Sequence, residues 1–473
     1  MLYSKLSVVF GLASEAGLWC LAVDATDLDC RARTRSGCIP PDLVSRLLEH
    51  GHADVVESQA GRGEWFCALA WARMLGEQGR EADALEALAP YTATGWWTAV
   101  VAASELLETW GRVDEAIEII RTRMEAGHPM ALETYTRLLA RHGRAEEAFN
   151  LLVPHVDDWA LATTLVDVAP VAGRDEEAAA LLVGRIRADH CCDGPWCCRV
   201  LDTDTVLDLL ATIRERQGRI DEAVALLRRR QITSVDSRDR LAGLLARHGR
   251  IEELRAYAAL DGHEEAVQRL AELLEEGGDV EGAIAVYGQA DGPAARNANS
   301  AYELAQLLAR HGRGAEAIAV MRAQAETHPG DDWILHALSE LCLDQGRPAG
   351  GLAHLDALAA QRGGEDAWEL FWMRLPLIAA CSGVDAAVER ARAHPEGTTW
   401  YATEQIANLL ADAGRTEEAV TALQQHDRGN SHDLAGYLID LDRIEEALAV
   451  LLHESPPPPR VSTTHQWSDE PPF

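Results

Sequence analysis

The chain has 473 residues, 47% of them hydrophobic, and a formal net charge of -33, which disfavours a sequence-independent grip on nucleic acid or anionic lipid because both need basic surface. Lys5 is the only lysine, so there is no Gly-Lys-Ser/Thr P-loop, and Schiff-base chemistry would have to use that one residue. No run reaches the eighteen apolar residues that a membrane helix needs.

The start, M-L-Y-S-K-L-S-V-V-F-G-L-A-S-E-A, has a short apolar stretch, and Glu15 spoils the small-residue cleavage site of a signal peptide, so a first helix is expected. With Cys20, Cys30 and Cys38, and with Pro40-Pro41 closing it, residues 1–40 read as an N-terminal helical cap. Ten cysteines in a chain this long do not make a disulfide scaffold, which points to a cytoplasmic protein with mostly reduced thiols. The bias towards Arg, Ala and Gly points to a GC-rich bacterial genome.

From residue 41 a repeat sets in. L-A-G-L-L-A-R-H-G-R-I-E-E-L (241–254) is echoed by L-A-Q-L-L-A-R-H-G-R-G-A-E-A (304–317), and by shorter kernels at 138–148, 214–223 and 409–419. The shared pattern is an apolar run, Gly-Arg, two residues, an acid and an alanine. Its glycine recurs at Gly51, Gly79, Gly111, Gly143, Gly173, Gly218, Gly249, Gly278, Gly312, Gly346, Gly383 and Gly414, and Asp442 takes the same place. Apolar residues eight and four before the anchor, such as Leu304 and Leu308, share one face of a helix. A small residue seven before it, such as Ala242 or Ala305, lets another helix approach. The glycine ends the first helix in a left-handed conformation. Acids after it, such as Glu147 and Glu418, suit the first turn of a second helix. An alanine five after it, such as Ala148 or Ala317, allows a tight crossing.

These kernels resemble the tetratricopeptide repeat, a helix–turn–helix unit of about 34 residues. The resemblance runs from about residue 41 to 453. It implies an all-α fold, a right-handed superhelical solenoid of about thirteen degenerate hairpins, with the first helices lining a concave groove. Residues 41–184 form a first block of repeats and 206–454 a second. Residues 185–205 form a Cys-rich inserted loop, and 455–473 a Pro-rich flexible tail whose four consecutive prolines cannot continue a helix.

The expected function is a non-catalytic scaffold or adaptor that binds a protein or peptide in that groove. The resemblance places Arg137, Arg141, Arg247 and Arg310 on the groove-facing side of the first helices, with Tyr302, Gln306 and Asn408 beside them. A row of guanidinium groups there would hold the carboxylates of an acidic ligand. The same arginines also suit helix C-termini as plain cations. Asn408 stands where carboxylate-clamp members of the family carry an asparagine. Two further readings are a ligand-gated, peptide-sensing regulator and a zinc- or redox-controlled protein.

That last reading rests on H-C-C-D-G-P-W-C-C-R-V (190–200). Asp193-Gly194-Pro195 is a turn signal, so the two cysteine pairs face each other across a bend. His190, Cys192, Cys197 and Cys198 form a candidate tetrahedral zinc set; a disulfide and a purely structural loop are the alternatives. In E-H-G-H-A-D-V (49–55), H-x-H-x-D resembles the start of the metallo-β-lactamase motif, but Gly51 falls on a repeat anchor and Asp54-Val55 on a second helix. Trp368, Phe371 and Trp372 share one helical stripe, which reads as core or as a groove hot spot, and Trp96-Trp97 invite the same two readings. Cys342 occupies an apolar core slot.

Overall fold

A computed structural model describes residues 25–35, 37–185, 201–229, 235–260, 264–287, 297–328, 331–361, 368–425 and 431–452. Among these residues the regular elements are helices, with no strand. The chain divides into one unit of Met1–Arg123 with Ile444–Phe473 and another of Met124–Arg443.

In the first unit, the helix Ala25–Thr34 lies in the segment expected to cap the repeats. The helix Trp65–Glu77 then pairs with Glu81–Ala93, and Trp97–Thr109 packs next to that pair. Alanines make the close contacts: Ala68, Ala72, Ala84 and Ala99 are wholly buried. The rings of Tyr91 and Trp96 stand edge-on to Trp65 at 5.1 and 4.7 Å. Trp96 is therefore core, while Trp97 is half-buried.

The second unit is a succession of helical hairpins. Those that matter for the site are Thr203–Arg216 with Ile220–Leu227, Val235–Arg247 with Ile251–Ala258, Glu264–Glu276 with Val280–Tyr287, Ala298–Arg310 with Gly314–Thr327, and Asp332–Asp344 with Pro348–Gln361. Each hairpin packs on the next one, so its apolar face is buried against a neighbour as well as within itself.

The anchors explain why the chain turns where it does. All thirteen, Asp442 included, have φ between 61° and 94°, the left-handed region that L side chains avoid. At Gly312 the amide donates to the Ala309 carbonyl (3.1 Å), and the next amide, of Arg313, donates to Leu308 (2.8 Å). This pair of bonds satisfies carbonyls that the helix end would leave open. Gly383 departs from the pattern, with ψ 157°, and leads straight into the helix Val384–Ala393. The alanines five after the anchors, Ala116, Ala148, Ala223, Ala317 and Ala419, are wholly buried, as a tight crossing requires. Gly351 replaces that alanine because a Cβ there would meet the Cβ of Cys342 at 2.9 Å.

Candidate functional site

Ten of the thirteen anchors are followed by an arginine at the start of the second helix. In several of these the guanidinium folds over the first turn onto the acid three residues on: Arg144 on Glu147 (2.8 and 2.9 Å), Arg174 on Glu177 (2.8 and 2.6 Å), Arg313 on Glu316 (2.7 and 2.6 Å) and Arg415 on Glu418 (both 2.7 Å). Several also reach back to the preceding hairpin, as Arg250 does to Asp221 (2.8 Å) and Arg313 to Glu281 (3.0 Å). The Gly-Arg-x-x-acid kernel is thus an ionic seam between hairpins, a role its recurrence alone does not disclose.

The arginines two before the anchors are engaged too. Arg247 donates bidentately to Glu215, 3.0 Å for both bonds, and His248 meets the same carboxylate at 3.0 Å. Arg310 and His311 repeat the arrangement on Glu275, at 2.9 and 2.8 Å. In both cases the acid lies three before the preceding anchor. The hydrogen bond from Arg310 holds the Glu275 carboxyl below the usual carboxylate range, against the pull of partial burial. At Glu215 burial pulls upward, and the bonds from Arg247 and His248 outweigh it. Arg137 pairs with Glu133 and reaches Asp167 at 3.5 Å, and Arg141 is likewise engaged within the chain. The expectation of an acidic ligand draws on these cations, and the charge of Arg137, Arg247 and Arg310 is met by carboxylates of the chain itself. Asn408 accepts a hydrogen bond from the Tyr437 hydroxyl at 2.8 Å.

Tyr302, Gln306 and Arg310 follow one another at single-turn intervals on the helix Ala298–Arg310 and so share a face. Tyr302 leads to residues that the sequence reading passed over. Its ring stands edge-on to Trp333 at 6.4 Å. His336, one turn along from Trp333, lies 5.0 Å from the Trp372 ring. Tyr302, Trp333, His336 and Trp372 therefore form an aromatic row across three successive hairpins. Trp333 is 44% exposed, and the other three are half-buried. The helix under the row, Asp332–Asp344, carries Asp332, Glu340 and Asp344 and no Arg or Lys. The stripe Trp368–Phe371–Trp372 splits. Trp368 and Phe371 are buried, while the helix gives way to a 3-10 turn at Trp372–Arg374 and turns the Trp372 ring towards His336. Trp159 and Trp400 are also exposed, each opening a first helix.

Cys342 is wholly buried, and burial pushes its thiol up from its ordinary range. Gly51 stands at the turn between helices Pro41–Glu49 and Ala53–Gly61, with Asp54 in the first turn of the latter. His190, Cys192, Cys197 and Cys198 lie outside the described residues, as does the Pro-rich tail. Among the described residues no group of His, Cys, Asp and Glu side chains is placed to hold a metal ion, and no helix is long and apolar enough to cross a membrane.

No protein-family profile matches the chain, and no curated protein matches it. Many solved structures are similar to it, two of which follow. One is the structure of Naa15/Naa10 bound to HypK-THB, at 12% identity and TM-score 0.27, covering 90% of this chain and 78% of that one. The other is the crystal structure of yeast Tom70, at 10% identity and TM-score 0.31, covering 90% and 99%. At these identities and TM-scores the two structures say nothing about what this chain binds.

Proposed function

We propose that the chain is a non-catalytic, cytoplasmic scaffold of tetratricopeptide-repeat type, which binds a peptide or protein segment along the first helices of its hairpins. The aromatic row of Tyr302, Trp333, His336 and Trp372 supports this reading most. Partly exposed aromatic rings in a row offer large, rigid contact area at low entropic cost, the usual anchors of binding hot spots. The carboxylates around them set the ligand's chemistry. With Asp332, Glu340 and Asp344 on the helix that carries Trp333, and with a net charge of -33, the segment it takes carries Arg or Lys. A guanidinium or ammonium group stacks on the Trp333 face, where the ring quadrupole attracts it, and the acids take its hydrogen bonds.

Selection from a random peptide library on the full chain, followed by calorimetry of the selected peptides, tests this. Peptides enriched in Arg and Lys are expected, with affinity falling about tenfold or more in Trp333→Ala. Selected peptides that are acidic, or that bind Trp333→Ala unchanged while losing Arg247→Glu and Arg310→Glu, would overturn the reading.

A further inference from the structure

Ten of the anchors are followed by an arginine. Nine of these arginines pair with a carboxylate: Arg80, Arg112, Arg144, Arg174, Arg219, Arg250, Arg313, Arg415 and Arg443. The tenth, Arg347, has no such partner among the described residues. Three positions supply the carboxylates elsewhere. One is the acid three after the arginine, and here Gly350 occupies it. The others are the acids two or three after the preceding anchor, as Glu81 and Asp385 or Asp221 and Glu281 are, and here Gly314 and Ala315 occupy them.

The hairpins around Gly218 and Gly249 show the full complement. Glu253 is held by Arg228 at 2.9 Å and by Arg250, and Arg250 also holds Asp221 at 2.8 Å. In the hairpins around Gly312 and Gly346, Arg322 stands in the place of Arg228 and Arg347 in that of Arg250. Gly350 replaces Glu253, and Ala315 replaces Asp221. Both cations are retained and both carboxylates are gone.

A cavity of about 360 Å³ opens at that spot, lined by Ala315, Ile318, Ala319, Arg322, Arg347 and Gly350. Arg322 donates one bond to the Gly350 carbonyl at 2.9 Å, while its Nε–H is buried with no acceptor. A buried donor left in this state is costly unless something accepts from it. Gly350 keeps the space clear, because a Cβ there would stand 3.1 Å from the Arg322 Nη2. Glu326, also on the lining, forms no ion pair with either arginine, so the site holds one net positive charge. Burial and the Arg322 charge push the nearby His354 imidazole below its usual range, against an opposite pull from Glu326.

We propose that this cavity binds a carboxylate-bearing small molecule. Its carboxylate bridges Arg322 and Arg347 as the Glu253 side chain bridges Arg228 and Arg250, and its apolar part lies against Ile318 and Ala319. The charge selects a monoanion over a phosphate dianion. The site is built on second helices and is independent of the aromatic row, which belongs to first helices.

Isothermal titration of the full chain with butyrate, and with succinate and inorganic phosphate as dianions expected to bind more weakly, tests it. Butyrate is expected to bind at one equivalent and more tightly than phosphate. Arg347→Gln should weaken it about tenfold or more, the cost of losing a charge-assisted hydrogen bond. Ala315→Glu should do the same by returning an internal carboxylate to Arg347, and the exposed position of Ala315 on its helix lets that variant fold. Arg250→Gln, at a seam that already holds its acid, should leave butyrate binding unchanged. The proposal fails if no saturable binding is seen up to about 50 mM, a level at which even very weak specific sites fill. It also fails if Ala315→Glu and Arg347→Gln bind like the parent, or if phosphate binds more tightly than butyrate.

Discussion

Replacing Gly312 by Ala isolates the conformational demand on which the repeat depends. Gly312 has φ +73°, and a Cβ built there meets nothing within 4 Å. The substitution therefore adds no clash, and the capping bonds of Gly312 and Arg313, at 3.1 and 2.8 Å, need no donor that alanine lacks. What remains is the backbone cost of a left-handed L-residue, roughly 1–2 kcal/mol. Alanine also stiffens the unfolded chain, which offsets about 0.4–1 kcal/mol, so the net loss is about 1 kcal/mol. Gly61→Ala is the matched control. Gly61 lies in the helix Ala53–Gly61, outside the left-handed region and also in open space, so alanine there should be neutral or stabilising by up to about 1 kcal/mol. Urea unfolding of both variants, followed by helical signal, reads the difference as opposite shifts of midpoint at unchanged slope. A Gly312→Ala protein as stable as Gly61→Ala would refute the reasoning, since the anchor would then not need its conformation.

Glu275 should contribute to acid sensitivity. Its folded pKa is lowered, so its stabilisation is present above the ordinary carboxylate range and disappears as pH falls through the folded value. Glu275→Gln should accordingly flatten the acid limb of the unfolding midpoint below about pH 4.5, and an unchanged limb would contradict the Arg310–Glu275 contact. Cysteine labelling of the native protein should separate two groups. Cys30 and Cys381 are exposed and should alkylate, whereas Cys38, Cys67 and Cys342 are buried, with the Cys67 thiol pushed up to about 12 by burial, and should resist until the chain unfolds. Mass spectrometry of the labelled peptides checks this, and early modification of Cys67 would be inconsistent with the packing around it. Trp333→Ala should lower stability by no more than about 1 kcal/mol, because nearly half of the residue is open to solvent and its ring contact with Tyr302 lies at the surface; a loss of several kcal/mol would make Trp333 a core residue.

The hairpins were legible because one physical demand, a left-handed residue at each helix end, leaves a glycine as its trace. The small residues beside it, such as Ala305 and Ala317, are legible for a related reason, since a tight crossing leaves no room for anything larger. The chemistry of the arginines was much less so. Arg247 and Arg310 are conspicuous on their own, but their partners Glu215 and Glu275 lie one repeat earlier, at a different distance from the anchor. Setting each arginine against the position three before the preceding anchor would have exposed both pairs. The same comparison between repeats shows Arg347 without its acids, a signal made of what is missing. Trp372 was obscured by a local break. Its even spacing from Trp368 implied one continuous stripe, and the 3-10 turn at Trp372–Arg374 takes it off that stripe. Trp333 went unnoticed because a lone tryptophan near the start of a helix has no periodic partner, and Tyr302 meets it only once adjacent hairpins stack.

The most direct test of the binding account is hydrogen exchange on the full chain, with and without a peptide selected for binding. Slowed exchange in the first helices Ala298–Arg310 and Asp332–Asp344 and around Trp372, absent in Trp333→Ala, is the predicted result. Protection confined to second helices such as Gly314–Thr327 and Pro348–Gln361, or unchanged by the substitution, would contradict it.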